Sequence, residues 1–308
     1  MNLKLAIVTQ SYKGDLKECK LLCESIDRFV DESIIHYIFV NDEDYQLFNN
    51  LGINPRHIIK KKSEILPSYW INIPFKLLGH KYYFSFFTIP VREWIVQQIC
   101  KLGAFDAIDS SVEAIINIDS ETVFMKPFQI SDIYDSKEKK FVFFKEPFRE
   151  EPCHEEYCKV AKKLCGFIED EITLQQYCYM SHPVIFVKEN IQALLSSIQS
   201  GKIMNWKNIL GNTYRFSEYY LYGLYTDHKL NLANHFEISK HLFPMIDIGK
   251  IQSKQQLLNS IKEIMTSDTS LGVWLQKSKR NSTDTRYFEF DQVLEVVKAY
   301  WDNNTIIK

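Results

Sequence analysis

The sequence predicts an α/β fold with a mixed, mainly parallel sheet flanked by helices. Apolar runs of strand length alternate with segments in which apolar residues recur every three or four positions, the spacing of a helix that packs on a core. Polar clusters directly follow the first two apolar runs, as they do where parallel strands end in ligand-binding loops. With 308 residues, 45% of them apolar, the chain can bury a large core.

The start of the chain shows this alternation most clearly. Leu3 to Thr9 is an apolar run that predicts the first strand, and the apolar spacing over 16–29 predicts a helix. Ile34 to Val40 predicts a second strand that ends in the polar segment 41–44, and a short helix follows over 45–51. This order predicts two parallel strands whose carboxyl-terminal loops meet at one edge of the sheet.

Two more strands and a helix are predicted before residue 120. Residues 56–65 have the character of a strand, and 113–119 form the most apolar strand candidate up to this point. Pro90 is expected to open a helix over 91–102, because proline is favoured in the first helical turn. Residues 66–88 are rich in Tyr, Trp and Phe but have little periodicity, which predicts a packed loop over the sheet. An aromatic lid or acceptor platform is the alternative.

The second half is expected to elaborate the first half within a single domain, because no repeat, low-complexity tract or linker divides the chain. Its elements are predicted as strands at 141–144 and 183–187 and as helices at 150–170, at 189–199, from 216 with Ser217 as cap, at 252–266 and at 290–301.

Composition excludes several classes of protein. The 37 Lys and Arg balance 39 Asp and Glu, so the net charge of −2 gives no reason to expect nucleic acid as a partner. No apolar stretch has the ~20 residues of a membrane span, and the amino terminus lacks the layout of a signal peptide. Seven scattered cysteines, an odd number, indicate reduced thiols. We therefore expect a cytoplasmic protein.

Asp119 and Glu121 are the clearest candidates for chemistry. They stand one residue apart at the end of an apolar strand, and alternate residues of an extended chain point to the same side. Two carboxylates placed in this way can bind one divalent cation, which in turn can bridge phosphates. A solvated turn at a strand end is the alternative.

Four segments resemble bacterial glycosyltransferases of the glycosyltransferase-A (GT-A) fold, and in particular an uncharacterised family of polysaccharide-biosynthesis enzymes. They are Ile7-Val-Thr-Gln-Ser-Tyr-Lys-Gly-Asp15, Val40-Asn-Asp-Glu-Asp44, Ile118-Asp-Ser-Glu-Thr-Val-Phe124 and Phe216-Ser-Glu-Tyr-Tyr-Leu-Tyr-Gly223. The chain departs from the resemblance at Glu121, where most such enzymes carry Asp.

The resemblance implies a single GT-A-like domain over 1–308, with a nucleotide-binding half at 1–128, an acceptor half at 129–230 and a helical C-terminal elaboration at 231–308. It also implies that Asp119 and Glu121 bind Mn²⁺ or Mg²⁺. The nucleotide-binding residues that it implies are Thr9, Ser11, Tyr12, Asp15, Asn41 and Asp42.

The resemblance also assigns Glu218, near the start of a helix, as the catalytic base that takes the proton of the acceptor hydroxyl. Its alternative is a first-turn carboxylate stabilised by the helix dipole. On the helix before the Asp119 strand, Arg92 and Lys101 are too far apart to face one phosphate, and we expect Arg92 to be the ligand-facing residue.

The resulting hypothesis is that the protein is a metal-dependent glycosyltransferase that transfers a sugar from a nucleotide-sugar donor, expected to be UDP-linked. The expected acceptor is a saccharide or lipid-linked saccharide in capsule or lipopolysaccharide synthesis. The transfer is expected to invert the configuration of the anomeric carbon. Peripheral association with a membrane is left open. The alternatives are a sugar nucleotidyltransferase, which needs a glycine-rich, basic phosphate loop that is sparse here, and a catalytically silent glycan-binding module.

Overall fold

The computed structural model describes residues 3–73, 75–77, 79–147, 152–167, 177–276 and 289–304. The strands are β1 (Leu5–Gln10), β2 (Ile35–Val40), β3 (His57–Lys61), β4 (Ile71–Asn72), β5 (Tyr82–Ser85), β6 (Thr88–Arg92), β7 (Ala114–Asn117), β8 (Thr122–Phe124), β9 (Tyr134–Asp135), β10 (Lys140–Phe144), β11 (Glu146–Pro147), β12 (Tyr177–Cys178), β13 (Val184–Val187), β14 (His235–Ile238), β15 (Met245–Asp247) and β16 (Gly272–Gln276). The helices are α1 (Leu16–Phe29), α2 (Tyr45–Asn49), α3 (Glu93–Leu102), α4 (Pro152–Leu164), α5 (Lys188–Gln199), α6 (Trp206–Gly211), α7 (Glu218–His228), α8 (Lys254–Met265) and α9 (Phe290–Asn304).

The central sheet has the strand order β13, β7, β1, β2, β3. β1 pairs in parallel with β2 and β7, β2 pairs in parallel with β3, and β13 is antiparallel to β7. The prediction of an α/β protein with a mixed, mainly parallel sheet is confirmed. Because β1, β2 and β7 run in the same direction, the segments that follow Gln10, Val40 and Asn117 lie at one edge of the sheet, which we call the carboxyl edge.

Both faces of this sheet are buried. On one face, Val8 of β1 and Phe39 of β2 belong to a core that includes Tyr222 of α7. On the other face, Ile7 of β1 belongs to a core with Leu22 of α1. All six residues of β1 are buried, which explains why its sequence is a continuous apolar run and not an alternating one. The polar segments 11–15 and 41–44 follow the carboxyl ends of these buried strands.

The C-terminal region contains strands that the sequence did not indicate. β16 pairs antiparallel with β8 and in parallel with β15, and β14 pairs in parallel with β10. Helices α8 and α9 form a further core with β16, in which Trp301 donates a hydrogen bond to the Phe124 carbonyl over 3.2 Å. The predicted helices are present, but the C-terminal elaboration is helical only in part, because it also contains β14, β15 and β16.

The aromatic segment before α3 also differs from its prediction. In place of a packed loop, it contains the antiparallel sheet β4, β5, β6. Pro90 lies inside β6, and α3 begins at Glu93, so the prediction that Pro90 opens the helix is wrong. Proline is accommodated because β6 pairs only with β5 among the described strands, and the outer side of an edge strand needs no amide donor.

The described part of the helix predicted over 150–170 is α4, while 150–151 and 168–170 lie outside the described residues. Six cysteines are free and buried, in agreement with the prediction of reduced thiols, and the side chain of Cys153 lies outside the described residues. Within the described ranges, no helix combines the length and the apolar character needed to cross a membrane.

Candidate active site

The carboxyl edge presents Asp119 directly after β7. The amide of Ile118 still bonds the Val8 carbonyl of β1 at 3.0 Å, which extends the sheet to the residue before Asp119. The amide of Thr122 then bonds the Asp119 carbonyl at 3.1 Å and turns the chain into β8. The Asp119 side chain keeps 24% of its surface exposed, so its carboxylate lies at the border between core and solvent.

Lys101 of α3 is the centre of the polar contacts around Asp119. Its ammonium lies 2.8 Å from Oδ1 of Asp119 and 2.9 Å from Oε1 of Glu218, and it donates a hydrogen bond to the Tyr219 hydroxyl at 2.9 Å. The Lys101 side chain is 4% exposed. Burial alone would discharge such a lysine, but the carboxylates of Asp119 and Glu218 keep its pKa well above the usual value.

His182, just before β13, completes this group, which we call the Asp119 cluster (Lys101, Asp119, His182, Glu218 and Tyr219). Its Nε2 lies 3.4 Å from Oδ2 of Asp119. Although burial opposes ionisation, Lys101 and His182 hold the pKa of the Asp119 carboxyl well below its usual range. Asp119 therefore stays ionised and is fixed by partners from two other elements.

Glu218 occupies the first position of α7, as predicted, and shares the Lys101 ammonium with Asp119. Its side chain is only 2% exposed. Burial raises the pKa of the Glu218 carboxyl, and the ammonium of Lys101 opposes that shift. Ser217 is the residue before the helix, but its hydroxyl makes no capping hydrogen bond.

Glu121 lies near two other acidic side chains, those of Asp119 and Asp15. Burial, and then the neighbouring carboxylates of Asp119 and Asp15, raise the pKa of Glu121 to about 8. Asp15 precedes α1, but its side chain does not cap the helix. Carboxylates that repel one another at a strand end are an arrangement that a divalent cation would neutralise.

Within the described residues, no third His, Cys, Asp or Glu joins Asp119 and Glu121 in a group with all ligand atoms inside 4.8 Å. His235 and His241, two histidines of the C-terminal half, have other partners. His235 bonds the Tyr222 hydroxyl at 2.7 Å, and His241 bonds the Ser181 hydroxyl at 3.0 Å.

Ser11 and Tyr12 follow β1 at the carboxyl edge. The hydroxyl of Ser120 donates to that of Ser11 at 3.1 Å, which ties the end of β1 to the segment after β7. Tyr12 is 44% exposed, and its ring lies over Gly14, where an added Cβ would come within 2.4 Å of the ring. Gly14 thus permits the ring position, and part of the Tyr12 side chain remains exposed at this edge.

Asn41 and Asp42 follow β2 at the same edge. Asn41 is buried, donates to Glu93 of α3 at 2.6 Å and accepts from the buried Lys62 ammonium at 2.8 Å. Asp42 accepts from the Ser63 amide at 3.3 Å. These contacts make Asn41 part of an internal network and leave Asp42 at the surface.

Thr9 is not available to a ligand, contrary to expectation. It is completely buried on the same face of β1 as Ile7, under α1, and its hydroxyl lies 2.9 Å from Nε2 of His36. The alternation of side chains along β1 explains the difference, because Thr9 and the residues that leave the sheet after Gln10 face different surroundings.

The structure places Arg92 and Lys101 in different surroundings. Arg92 precedes α3, and its guanidinium lies over the Tyr214 ring at 5.6 Å, whereas Lys101 contacts Asp119. Sequence reasoning underrated Lys101 because a lysine near a helix end is usually solvated. Its place inside the run Ile99-Cys-Lys-Leu102, whose other members are apolar and buried, was the available signal.

Comparison with known proteins identifies the family of the chain. A family described as of unknown function, DUF6492, matches residues 1–300, and the protein belongs to that family. No curated protein shows significant similarity to the sequence.

Proposed function

We propose that the protein is a metal-dependent glycosyltransferase of the GT-A type that uses a nucleotide-sugar donor. The observation that carries the proposal is the Asp119 cluster at the carboxyl edge, with Glu121 beside it. Asp119 is a partly exposed carboxylate at the end of a buried parallel strand. It is held by Lys101 of α3, which also contacts Glu218 of α7, and by His182 before β13, a costly arrangement that a purely structural role does not require.

The donor set fits Mn²⁺ or Mg²⁺, because Asp119 and Glu121 offer hard carboxylate oxygens. Among the described residues, Glu121 has no compensating charge as close as the Lys101 ammonium is to Asp119. When bound, such a cation would neutralise the negative charge that develops on the leaving nucleoside diphosphate. Lys101 and His182 orient Asp119 before any ligand arrives, which lowers the cost of binding.

In this proposal the exposed ring of Tyr12 stacks on the base of the donor, and Ser11 and Asp42 lie within the same edge as polar partners for the nucleotide. Asn41 acts through Glu93 and Lys62, which it holds in place. Thr9 and Arg92 are left out of the proposed nucleotide site because their side chains have other partners.

Glu218 remains the proposed base for an inverting transfer. Burial raises its pKa, which brings a carboxylate closer to the range in which a general base works at neutral pH. The Glu218 side chain is only 2% exposed, so the acceptor hydroxyl must displace the groups that cover it. In addition, Glu218 must turn from Lys101 to the acceptor while Lys101 keeps its bond to Asp119.

We also propose a lipid-linked acceptor and peripheral attachment to a membrane. Exposed residues of the β4, β5, β6 sheet support this proposal. Phe86 at its tip is fully exposed, and Phe87 is 56% exposed. The Phe87 carbonyl accepts from Asn212, whose loop neighbourhood includes the exposed Met204. Cosedimentation with anionic lipid vesicles tests this, and binding that persists in the Phe86→Ser, Phe87→Ser double variant would contradict it.

The experiment that tests the function is a thermal-shift screen of nucleoside diphosphates and nucleotide sugars with and without Mn²⁺, followed by transfer assays with the stabilising donors. A ligand that binds the native state raises the melting temperature by mass action. We expect stabilisation by one nucleotide class that requires Mn²⁺, and its loss in Asp119→Asn. Stabilisation by saccharides alone would favour the glycan-binding module, and turnover of a nucleoside triphosphate with a sugar phosphate would favour the nucleotidyltransferase.

A further inference from the structure

A second group of ligand-bearing side chains lies under α1, away from the carboxyl edge. Cys23 of α1, His36 of β2 and His57 of β3 each bring one ligand atom to a common point, with all three atoms inside 4.8 Å of one another. Cys23 and His36 are completely buried, and His57 is 5% exposed. We call these residues the Cys/His cluster.

The two imidazoles face each other through the same type of nitrogen. Nδ1 of His36 lies 2.9 Å from Nδ1 of His57. The opposite nitrogens point outward to oxygen partners: Nε2 of His36 lies 2.9 Å from the Thr9 hydroxyl, and Nε2 of His57 lies 3.1 Å from the Asp27 carboxylate. Metal-binding histidines show a similar pattern, in which the outer nitrogen is fixed by a hydrogen bond and the inner nitrogen coordinates the metal. Here the two inner nitrogens contact each other.

We propose that Cys23, His36 and His57 bind a structural zinc ion that links α1 to β2 and β3. A thiolate and two imidazoles suit this borderline-soft cation, and structural zinc sites are buried and tetrahedral. Cys19, one turn earlier on α1, is buried and shares a hydrogen bond with the Cys23 thiol. Its sulfur is outside the group of ligand atoms that lie within 4.8 Å of one another, so its side chain would have to move to supply the fourth ligand.

The proton balance of this site is consistent. Zinc binding places the imidazole protons on both Nε2 atoms, where Thr9 and Asp27 accept them, so each histidine stays neutral and only the thiols release protons. Burial already lowers the pKa of His36, which favours the neutral form that coordinates metal.

Zinc binding would require little movement of the two histidine rings. With Zn–N bonds of ~2.0–2.1 Å, two nitrogens of a tetrahedral site are roughly 3.3 Å apart, so the rings would separate by only a few tenths of an ångström from the 2.9 Å observed. Asp27 supplies a counter-charge, and the guanidinium of nearby Arg56 is held by the carbonyls of Val30, Asp31 and Ile34.

Metal analysis of the purified full chain tests the proposal without any substitution. We expect one zinc per chain by mass spectrometry of the metal content after growth with added zinc. The chelated protein should bind Co²⁺ with a thiolate-to-cobalt charge-transfer absorption.

Cys23→Ser and His57→Gln should each retain less than a tenth of the zinc, whereas the matched control Cys100→Ser, which alters a buried cysteine of α3, should retain all of it. Wild-type protein without stoichiometric zinc and without a cobalt charge-transfer band would overturn the proposal, as would full zinc binding by Cys23→Ser. These readouts do not depend on the proposed glycosyltransferase activity.

Discussion

The Lys101→Met substitution should lower the free energy of unfolding by an amount that can be worked out from the contacts of Lys101. Methionine keeps most of the aliphatic length but removes the ammonium, which contacts Asp119, Glu218 and Tyr219 at 2.8 to 2.9 Å. Glu218 then becomes a carboxylate without its cation in a site where its side chain is 2% exposed. Removing one partner of a buried ion pair costs ~3–5 kcal/mol, so we expect a loss of that order in the free energy of unfolding.

Urea denaturation at neutral pH measures this loss. The double variant Lys101→Met, Glu218→Gln removes the unpaired charge as well and should recover part of the loss. Lys17→Met, which removes an ammonium from an ion pair with side chains 59% and 58% exposed, is the matched surface control and should leave the denaturation midpoint nearly unchanged. A loss below ~1 kcal/mol in Lys101→Met would refute the view of Lys101 as the buried centre of the cluster.

Four further outcomes are expected. Burial lowers the pKa of His235 from 6.5 to about 4, so the unfolded chain takes up a proton first and stability should fall by about 3 kcal/mol between pH 6.5 and 4; urea titrations of His235→Gln should show a flatter pH dependence. Gly223→Ala should lower the free energy of unfolding by ~1–3 kcal/mol in the same assay, because its Cβ would lie 2.3 Å from the Tyr179 ring, and an unchanged value would contradict the tight contact. Tyr12→Ala should weaken nucleoside diphosphate binding about tenfold in a calorimetric titration, and equal affinity would rule out base stacking. Glu218→Gln should lower turnover by ~10²–10⁴-fold in a transfer assay with donor affinity preserved, and near-normal turnover would exclude the base role.

The parallel core of the fold was predictable because its sequence signal is strong. β1 and β2 are buried on both faces and therefore read as continuous apolar runs, and α1 shows a clear helical stripe. The strands β4 to β6 and β14 to β16 are two to five residues long. In addition, β14 and β16 pair with β10 and β8, which are far away along the chain. A short strand without alternation cannot be told from a loop by periodicity.

The candidate site was predictable to the same extent. Asp119 and Glu121 were found because a buried strand ends in charge, and Glu218 joins them through Lys101. The surroundings of Thr9 and Lys101 were not predictable. They depend on the direction in which each side chain points and on the residues that pack against it, and sequence spacing alone does not determine either. The Cys/His cluster was missed because its three residues come from separate elements and have no common spacing.

The central hypothesis is that the carboxyl edge binds the nucleotide part of a sugar donor through a divalent cation on Asp119. Calorimetric titration of UDP in Mn²⁺, and again in excess chelator, tests it most directly. Asp109→Asn, which alters an exposed carboxylate paired with Lys4, is the matched control for Asp119→Asn. We predict saturable binding by the wild type and Asp109→Asn in Mn²⁺, and none in chelator or in Asp119→Asn. UDP binding of equal strength in chelator, or in a folded Asp119→Asn variant, would contradict the hypothesis.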